Sequence, residues 1–313
     1  MLLEQALFHL PEILTGSGYP RQRYEGGIVA AFSLALLQAL NGRNVPNPIS
    51  CLHAERPFRG TKGWNRGDSA TKRYLRSDLY LNLERLEVGS ERLSAYGWRS
   101  YNWIEAKFFR KSTSNRQQNT GALLADLLRL LVLVPNSTVN SGTEKKIITG
   151  RYLLHVYEAL EPNPYLSISR QTGNGSESRK WLQPLITGGF QRCPRIRLEQ
   201  YETAGVLREI NSNLGDLEIE FDATTWRIGP TFDMGQKIRQ YLCLLTRIDS
   251  FTICRNNTSL TIKPNRTVVV TPDWSTFRSD IREHVGSWIN IKETESEQPD
   301  ESEVIDETPE TDE

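Results

Sequence analysis

Two apolar segments separated by an apolar helix constrain the fold of this chain more than any other feature of its sequence. Residues 103–109 and 151–157 are short runs with mainly apolar positions, as in strands that are buried on both faces. Between them, residues 120–134 form an apolar stretch of helical length that ends at Pro135. Strand, helix and strand in this order indicate a parallel pair joined by a right-handed crossover. The sequence therefore predicts an α/β core.

The residues before this unit predict two helices, a loop and a strand. Helices are expected over residues 1–14 and from about Arg23 to Leu40. Residues 43–73 are rich in Pro, Gly, Arg and Asn, which predicts a loop. Leucines at alternate positions of residues 75–84 predict a strand. A second loop is expected from Arg110 to Asn119.

The second half of the chain predicts mainly short strands. Its helical candidates are Lys237–Leu245 and Ser275–Trp288. Its strand candidates are Tyr165–Ser169, Arg195–Gln200, Leu217–Phe221, Phe251–Cys254, Leu260–Lys263 and Thr267–Val270. This region is expected to be either a second domain or an elaboration of the first sheet.

Charge is separated along the chain although the formal net charge is zero. Residues 293–313 contain eleven acidic residues and no Lys or Arg, so residues 1–292 carry 38 basic residues against 27 acidic ones. The acidic end is almost free of apolar residues, which predicts a disordered tail. The excess of basic residues in residues 1–292 predicts a polyanionic partner, and nucleic acid is the first candidate.

Several classes of protein are disfavoured by the sequence. The longest apolar stretch, residues 122–134, contains Asp126 and Arg129 and is too short to span a membrane. The N-terminus lacks the basic region of a signal peptide, and the four cysteines form no CxxC pair, so a reducing cytoplasm is the expected location. No Walker-type phosphate loop and no GxSxG motif is present, which disfavours an ATP-driven motor and a serine hydrolase.

Four charged residues stand out because they interrupt apolar elements. Glu105 and Lys107 are two residues apart in the strand 103–109, so their side chains share one face. Asp78 interrupts the preceding strand, and Glu25 begins the apolar stripe of the second helix. Buried charges cost several kcal/mol unless they are compensated. Carboxylates at this spacing can bind a divalent cation that activates water, and a nearby lysine can orient that water.

Together these residues resemble the PD-(D/E)XK nuclease superfamily, which includes many restriction endonucleases, over roughly residues 20–160. The resemblance implies a restriction-endonuclease-like mixed central sheet flanked by helices, an α/β (α+β) fold. It implies that Asp78 and Glu105 bind Mg²⁺, for which Mn²⁺ can substitute, and that Lys107 orients the attacking water. Glu25 would be an auxiliary metal or water ligand. The implied activity is Mg²⁺-dependent hydrolysis of DNA by an endonuclease of the type II restriction kind, in restriction or anti-phage defence.

The resemblance divides the chain into three parts. Residues 1–160 would be the nuclease-like core, residues 161–292 a mixed α/β recognition or oligomerisation region that forms a β-rich C-terminal elaboration, and residues 293–313 the disordered acidic tail. Enzymes of this kind that cut both strands commonly pair two sites, so a homodimer or a higher homo-oligomer is expected. The sequence does not identify an activator or a partner protein.

Basic residues near the predicted site are the candidate DNA contacts. Arg110, Lys111 and Arg116 follow the Glu-x-Lys strand, and an earlier basic segment with interleaved aromatics contains Arg66, Lys72 and Arg73. Cations bind DNA phosphates and aromatic rings stack on bases. Ordinary solvated loops have the same composition, so both interpretations stand.

Less specific interpretations exist for the acidic residues and for the protein as a whole. Glu105 and Lys107 are also consistent with a salt bridge on an edge strand, and Asp78 with a solvent-facing position. Glu25 is favoured in a first helical turn by the helix dipole alone. Asp68 is the alternative to Asp78, although it lies in a Gly-rich polar stretch. The alternative function is a catalytically inactive nucleic-acid-binding or scaffold protein with a nuclease-like fold.

Overall fold

The computed structural model describes residues 2–16, 25–58, 76–86, 93, 98–110, 115–134, 138–139, 146–147, 149–172, 175–198, 216–233, 239–255, 258–263 and 266–270. The helices in these ranges are α1 (Leu2–Thr15), α2 (Glu25–Asn41), α3 (Arg116–Val132) and the short α4 (Gln183–Ile186). The strands are β1 (Leu52–Pro57), β2 (Arg76–Asn82), β3 (Tyr101–Phe109), β4 (Thr138–Val139), β5 (Lys146–Ile147), β6 (Thr149–Tyr157), β7 (Ser169–Thr172), β8 (Gly175–Ser178), β9 (Gly189–Arg197), β10 (Leu217–Asp233), β11 (Arg239–Arg255), β12 (Thr258–Lys263) and β13 (Arg266–Val270).

A mixed sheet organises the described part of the chain. Seven strands follow one another in the order β1-β2-β3-β6-β11-β10-β9, and β12 and β13 continue from β11. The pair β3–β6 is parallel, and the other pairs of this sheet are antiparallel. The chain thus has a mixed α/β fold, as the sequence predicts at the level of fold class.

The strand–helix–strand unit predicted from the apolar pattern is confirmed. β3 and β6 pair in parallel along nine residues, from Tyr101–Thr149 to Phe109–Tyr157. Helix α3 lies between them in sequence and packs on both strands. All nine residues of β6 are buried, as expected for a strand at the centre of a covered sheet.

Each face of the sheet is covered by its own apolar layer. On one face, leucines and alanines of α1 and α2 pack against the even-numbered β3 residues Ile104 and Ala106. On the other face, the leucines of α3 pack against the odd-numbered Trp103 and Phe109. Two covered faces account for the near-continuous apolar character of the central strands.

Some predicted elements are wrong. Residues 43–73 were expected to be a loop but include β1, an edge strand whose side chains are mostly exposed or half-buried and show no apolar alternation. Residues 237–245 were expected to be helical, whereas β11 begins at Arg239 and pairs with β10 and β6. The leucines in this segment have helical spacing, but pairing with a strand on each side stabilises the extended conformation.

Two further element boundaries differ from the prediction. Helix α3 begins at Arg116, inside the expected loop, because the Asn115 side chain accepts a hydrogen bond from the Gln118 N–H and caps the first turn. The strand expected over Tyr165–Ser169 instead begins at Ser169, after a turn in which the N–H groups of Tyr165 and Leu166 donate to the Pro162 carbonyl.

The second half of the chain joins the same sheet as the first. β11 lies next to β6, so the sheet is continuous across the domain boundary expected at residue 160. The predicted helix 275–288 and the acidic tail 293–313 lie outside the described residues. No helix in the described ranges combines the length and the hydropathy of a membrane span.

Gly150 of β6 is expected to be intolerant of any side chain. A Cβ atom at this position would lie 2.6 Å from Tyr152 Cε2, 2.7 Å from Asn102 Oδ1 and 2.9 Å from Arg99 Cδ. Tyr152 and Asn102 are buried, so neither can swing away freely. Gly150→Ala is therefore expected to lower the free energy of unfolding by roughly 1–3 kcal/mol, measured by urea denaturation. In the control Gly188→Ala the nearest heavy atom is 3.8 Å away, and equal losses in both variants would contradict the prediction.

Candidate active site

Strand β3 sets Glu105 and Lys107 side by side on the face covered by α3. Neighbouring residues of a strand alternate between faces, and Trp103 and Phe109 of the same odd-numbered set pack against α3. β3 is internal, with β2 on one side and β6 on the other. Glu105 is 1% exposed and the Lys107 side chain 19%. The edge-strand interpretation of these two residues is therefore wrong.

Asp78 approaches Glu105 from β2, where β2 and β3 separate. The ladder between the two strands ends at Leu79 and Ile104. One further step in the same register sets Asp78 opposite Glu105. The Asp78 carboxylate, which is half-buried, accepts a hydrogen bond from the Ala106 N–H at 2.6 Å. Asp78 therefore fixes the backbone of β3 between Glu105 and Lys107.

Lys107 is held between two carboxylates from two different helices. Its Nζ lies 2.9 Å from Glu25 Oε1 and 3.1 Å from Glu25 Oε2, at the first residue of α2. On the other side, Nζ lies 3.3 Å from Asp126 Oδ2 of α3. Burial by itself would lower the pKa of Lys107, but Glu25 and Asp78 outweigh it and hold the pKa above its usual value. Lys107 is therefore a charged, oriented ammonium group.

Arg129 of α3 links Glu105 to Asp126. One terminal nitrogen of its guanidinium lies 3.5 Å from Glu105 Oε2, and the other contacts Asp126 Oδ1. Neither Glu105 oxygen accepts a hydrogen bond from any described residue. Arg129 is thus the nearest described cation to a fully buried carboxylate.

The cluster contains more negative than positive formal charge. Its members are the carboxylates Glu25, Asp78, Glu105 and Asp126 and the cations Lys107 and Arg129, which leaves two negative charges in excess. Burial raises the pKa of Glu105 to about 8, and Arg129 only partly opposes this effect. Burial also raises the pKa of Glu25, against the influence of Lys107. The cluster is therefore an environment that favours a bound cation.

Asp126 and Arg129 were not among the predicted site residues. The sequence contained a usable signal, since two charges three positions apart interrupt an otherwise apolar helix that directly follows the Glu-x-Lys strand. Residues at this spacing share one helix face. In the sequence alone, these two charges bear only on the exclusion of a membrane span.

The four predicted acidic and basic site residues all meet in this cluster. Glu25 is far from the others in sequence and reaches it because α2 begins beside Lys107. Both of its oxygens contact Lys107, so it orients the lysine in this arrangement. Asp68, the alternative to Asp78, lies outside the described residues.

The predicted DNA contacts are only partly described. Arg110 is half-buried at the end of β3, with its guanidinium 5.5 Å from the centre of the Phe108 ring. Arg116 is exposed in the first turn of α3, and its Nε donates to the Pro164 carbonyl at 3.1 Å. The other candidates, Lys111, Arg66, Lys72 and Arg73, lie outside the described residues.

Asp78 and Glu105 are the residues that could hold a metal ion. In the described ranges, no three His, Cys, Asp or Glu side chains form a group that could hold one. Mg²⁺ commonly takes only one or two carboxylates, however, and completes its shell with water and substrate phosphate. The Glu105 oxygens, which accept no hydrogen bond from a described residue, and the excess negative formal charge fit a divalent cation at this pair.

His155 lies on β6 beside Lys107 in the parallel register and is fully buried. Neither ring nitrogen has a hydrogen-bond partner among the described residues. Burial lowers the pKa of His155 to about 3, and the Lys107 charge adds to this effect. His155 is therefore neutral at physiological pH, and its ring is edge-on to those of Phe109 and Tyr157, which stack on each other.

The raised pKa of Glu105 predicts a stability loss at alkaline pH. The folded chain holds the proton up to about pH 8, whereas an ordinary glutamate releases it near 4.5. The stabilisation is complete below pH 4.5 and is lost as the pH rises to 8. Glu105→Gln should therefore gain stability relative to wild type, by roughly 1 kcal/mol per pH unit across this window. Urea denaturation at pH 5 and pH 8 measures the free energy of unfolding of the variant relative to wild type, with the exposed Glu55→Gln as control. The same difference between Glu105→Gln and wild type at both pH values would contradict the prediction.

The lowered pKa of His155 predicts that the folded chain loses stability at acidic pH. The unfolded chain binds a proton near pH 6.5, but the folded chain does not until about pH 3. Stability is therefore full above 6.5 and falls as the pH drops. His155→Leu should remove roughly 1 kcal/mol of this loss per pH unit between 6.5 and 4. Thermal unfolding at pH 7 and pH 5 measures the difference, in which a constant packing cost cancels; the exposed His9→Leu is the control.

Comparisons of this chain with protein-family models, with curated proteins and with solved structures find no match. Its function is therefore inferred from the side chains of the charged cluster and from the charge distribution of the sequence.

Proposed function

We propose that this chain is a Mg²⁺-dependent DNA endonuclease with a restriction-endonuclease-like core of the PD-(D/E)XK kind. One observation carries the proposal. Glu105 and Lys107 share one face of an internal strand, and Asp78 lies against that strand where its neighbour separates from it. This arrangement combines two carboxylates and an oriented ammonium group, a set that suits metal-assisted phosphodiester hydrolysis.

Each side chain has a distinct role in this proposal. Asp78 and Glu105 would hold Mg²⁺, which supplies an activated water and offsets negative charge on the phosphate. Lys107 orients the attacking water or stabilises the developing negative charge. Glu25 and Asp126 hold the Lys107 ammonium from two sides, which limits the positions that it can adopt.

The charge distribution supports DNA as the substrate. Residues 1–292 carry eleven more basic than acidic residues, and basic surfaces bind polyanions. Arg110 lies three residues after Lys107 in the sequence and is a candidate phosphate contact. A role in restriction or anti-phage defence and assembly as a homodimer are part of the proposal.

A catalytically inactive nucleic-acid-binding protein with this fold is the second candidate. It is favoured by the ion pairs of the cluster, because Lys107 contacts Glu25 and Asp126, and Arg129 contacts Glu105. Buried ion pairs of this kind also occur as purely structural networks. This candidate binds DNA without cutting it.

The test is cleavage of supercoiled plasmid and of linear DNA with Mg²⁺, Mn²⁺ or EDTA. Lys107→Ala and Glu105→Gln should each reduce the rate roughly 100-fold or more, because each removes a group that acts on the reacting phosphate or water. DNA affinity, measured by fluorescence anisotropy, should change little.

The matched control is Arg192→Gln, which removes an exposed charge on β9 at the opposite edge of the sheet from β1. It should cut DNA at the wild-type rate. Metal-independent cutting, or cutting that survives Lys107→Ala, would reject the proposed active site. Salt-sensitive DNA binding without cutting in any metal would support the second candidate instead.

A further inference from the structure

We propose that Arg129 is an internal counter-cation that contacts both Glu105 and Asp126 in the metal-free chain and keeps only the Asp126 contact when Glu105 takes up a divalent cation. The inference rests on the proposed metal site and assigns a means of regulating its occupancy. It makes α3, and not only the strands that carry the carboxylates, a determinant of metal affinity.

The geometry places Arg129 between its two acceptors. Its side chain is 10% exposed, so the surrounding apolar residues restrict it to the interior of the cluster. One terminal nitrogen faces Glu105 at 3.5 Å, and the other contacts Asp126, one turn earlier on the same helix. A planar guanidinium can serve two carboxylates at once, whereas an ammonium is a single point charge.

The two contacts of Arg129 are unequal. Asp126 belongs to the same helix as Arg129, three positions earlier, so this contact persists without any movement of the backbone. The contact with Glu105, at 3.5 Å, joins two different elements. Arg129 can therefore give up Glu105 while its charge remains compensated by Asp126, which avoids the cost of an unpaired buried cation.

Arg129 and Asp126 are expected to change metal affinity in opposite directions because their charges are opposite. Loss of the Arg129 charge removes repulsion from a divalent cation at Glu105, and loss of the Asp126 charge removes attraction. The same losses also change the proton affinity of Glu105 in the same direction. A divalent cation feels the change twice as strongly as a proton, so the sign of the metal effect survives proton competition.

The test is Mn²⁺ binding to the full chain without DNA, measured by electron paramagnetic resonance of the free ion. Arg129→Met should tighten Mn²⁺ binding roughly tenfold, and Asp126→Asn should weaken it roughly tenfold. Arg129→Gln keeps a hydrogen-bond donor for Asp126 and carries the same expectation as Arg129→Met if the latter does not fold. Arg129→Lys keeps the charge and should remain close to wild type.

The chain offers a matched pair of controls on the same sheet. Arg192 of β9 and Asp222 of β10 form an ion pair of 2.8 Å, and the Arg192 side chain is 66% exposed. Arg192→Met and Asp222→Asn change the net charge by the same amounts as the α3 variants. They should leave Mn²⁺ affinity unchanged, and thermal unfolding of every variant confirms that it is folded.

The Mn²⁺ affinities test the role of Arg129 independently of whether the chain cuts DNA. Opposite shifts for the Arg129 and Asp126 variants support it, whether or not the chain cuts DNA. Equal affinities, shifts in the same direction, or no Mn²⁺ binding by wild type and by both Arg129→Met and Arg129→Gln overturn it. Metal-dependent cleavage with unshifted affinities would leave the proposed function standing and remove only the role of Arg129.

Discussion

Burial of charge between β3 and the two helices beside it is the constraint on which this structure depends. Glu105 and Asp126 are almost completely buried, and charges in such positions are tolerated only where other charges compensate them. Arg129 and Lys107 provide that compensation, and each lies between two acidic groups. The relative positions of α2, β3 and α3 are therefore coupled through ion pairs as well as through apolar packing.

The topology explains how these groups meet. The parallel pair β3–β6 requires a crossover, and the crossover helix α3 covers the face to which Glu105 and Lys107 point. Strand β2 pairs with β3 only as far as Leu79, so Asp78 is released from the ladder at the level of Glu105. The end of this ladder and the position of α3 together define the cluster. An incomplete charge balance in that cluster is consistent with a cation-binding role.

Much of the core could be predicted from the sequence because its signals are local. The apolar runs of β3 and β6 have the length of strands and the apolar stretch of α3 has the length of a helix, and all three elements are present. The helix predicted over residues 237–245 is wrong because leucines at helical spacing are equally compatible with a strand that has neighbours on both sides. Strand β1 has no apolar alternation, so only its pairing with β2 identifies it.

The candidate site shows the same division between local and long-range information. By itself the sequence determined that Glu105 and Lys107 share a face of a buried strand, since strand geometry requires residues two apart to point the same way. It also marked Asp78 and Glu25 as charges that interrupt apolar elements. Only the tertiary structure decided that Lys107 pairs with Glu25 and Asp126, and Glu105 with Arg129. Ion pairs between elements depend on which helix faces which strand, and that arrangement follows from the packing of the whole sheet.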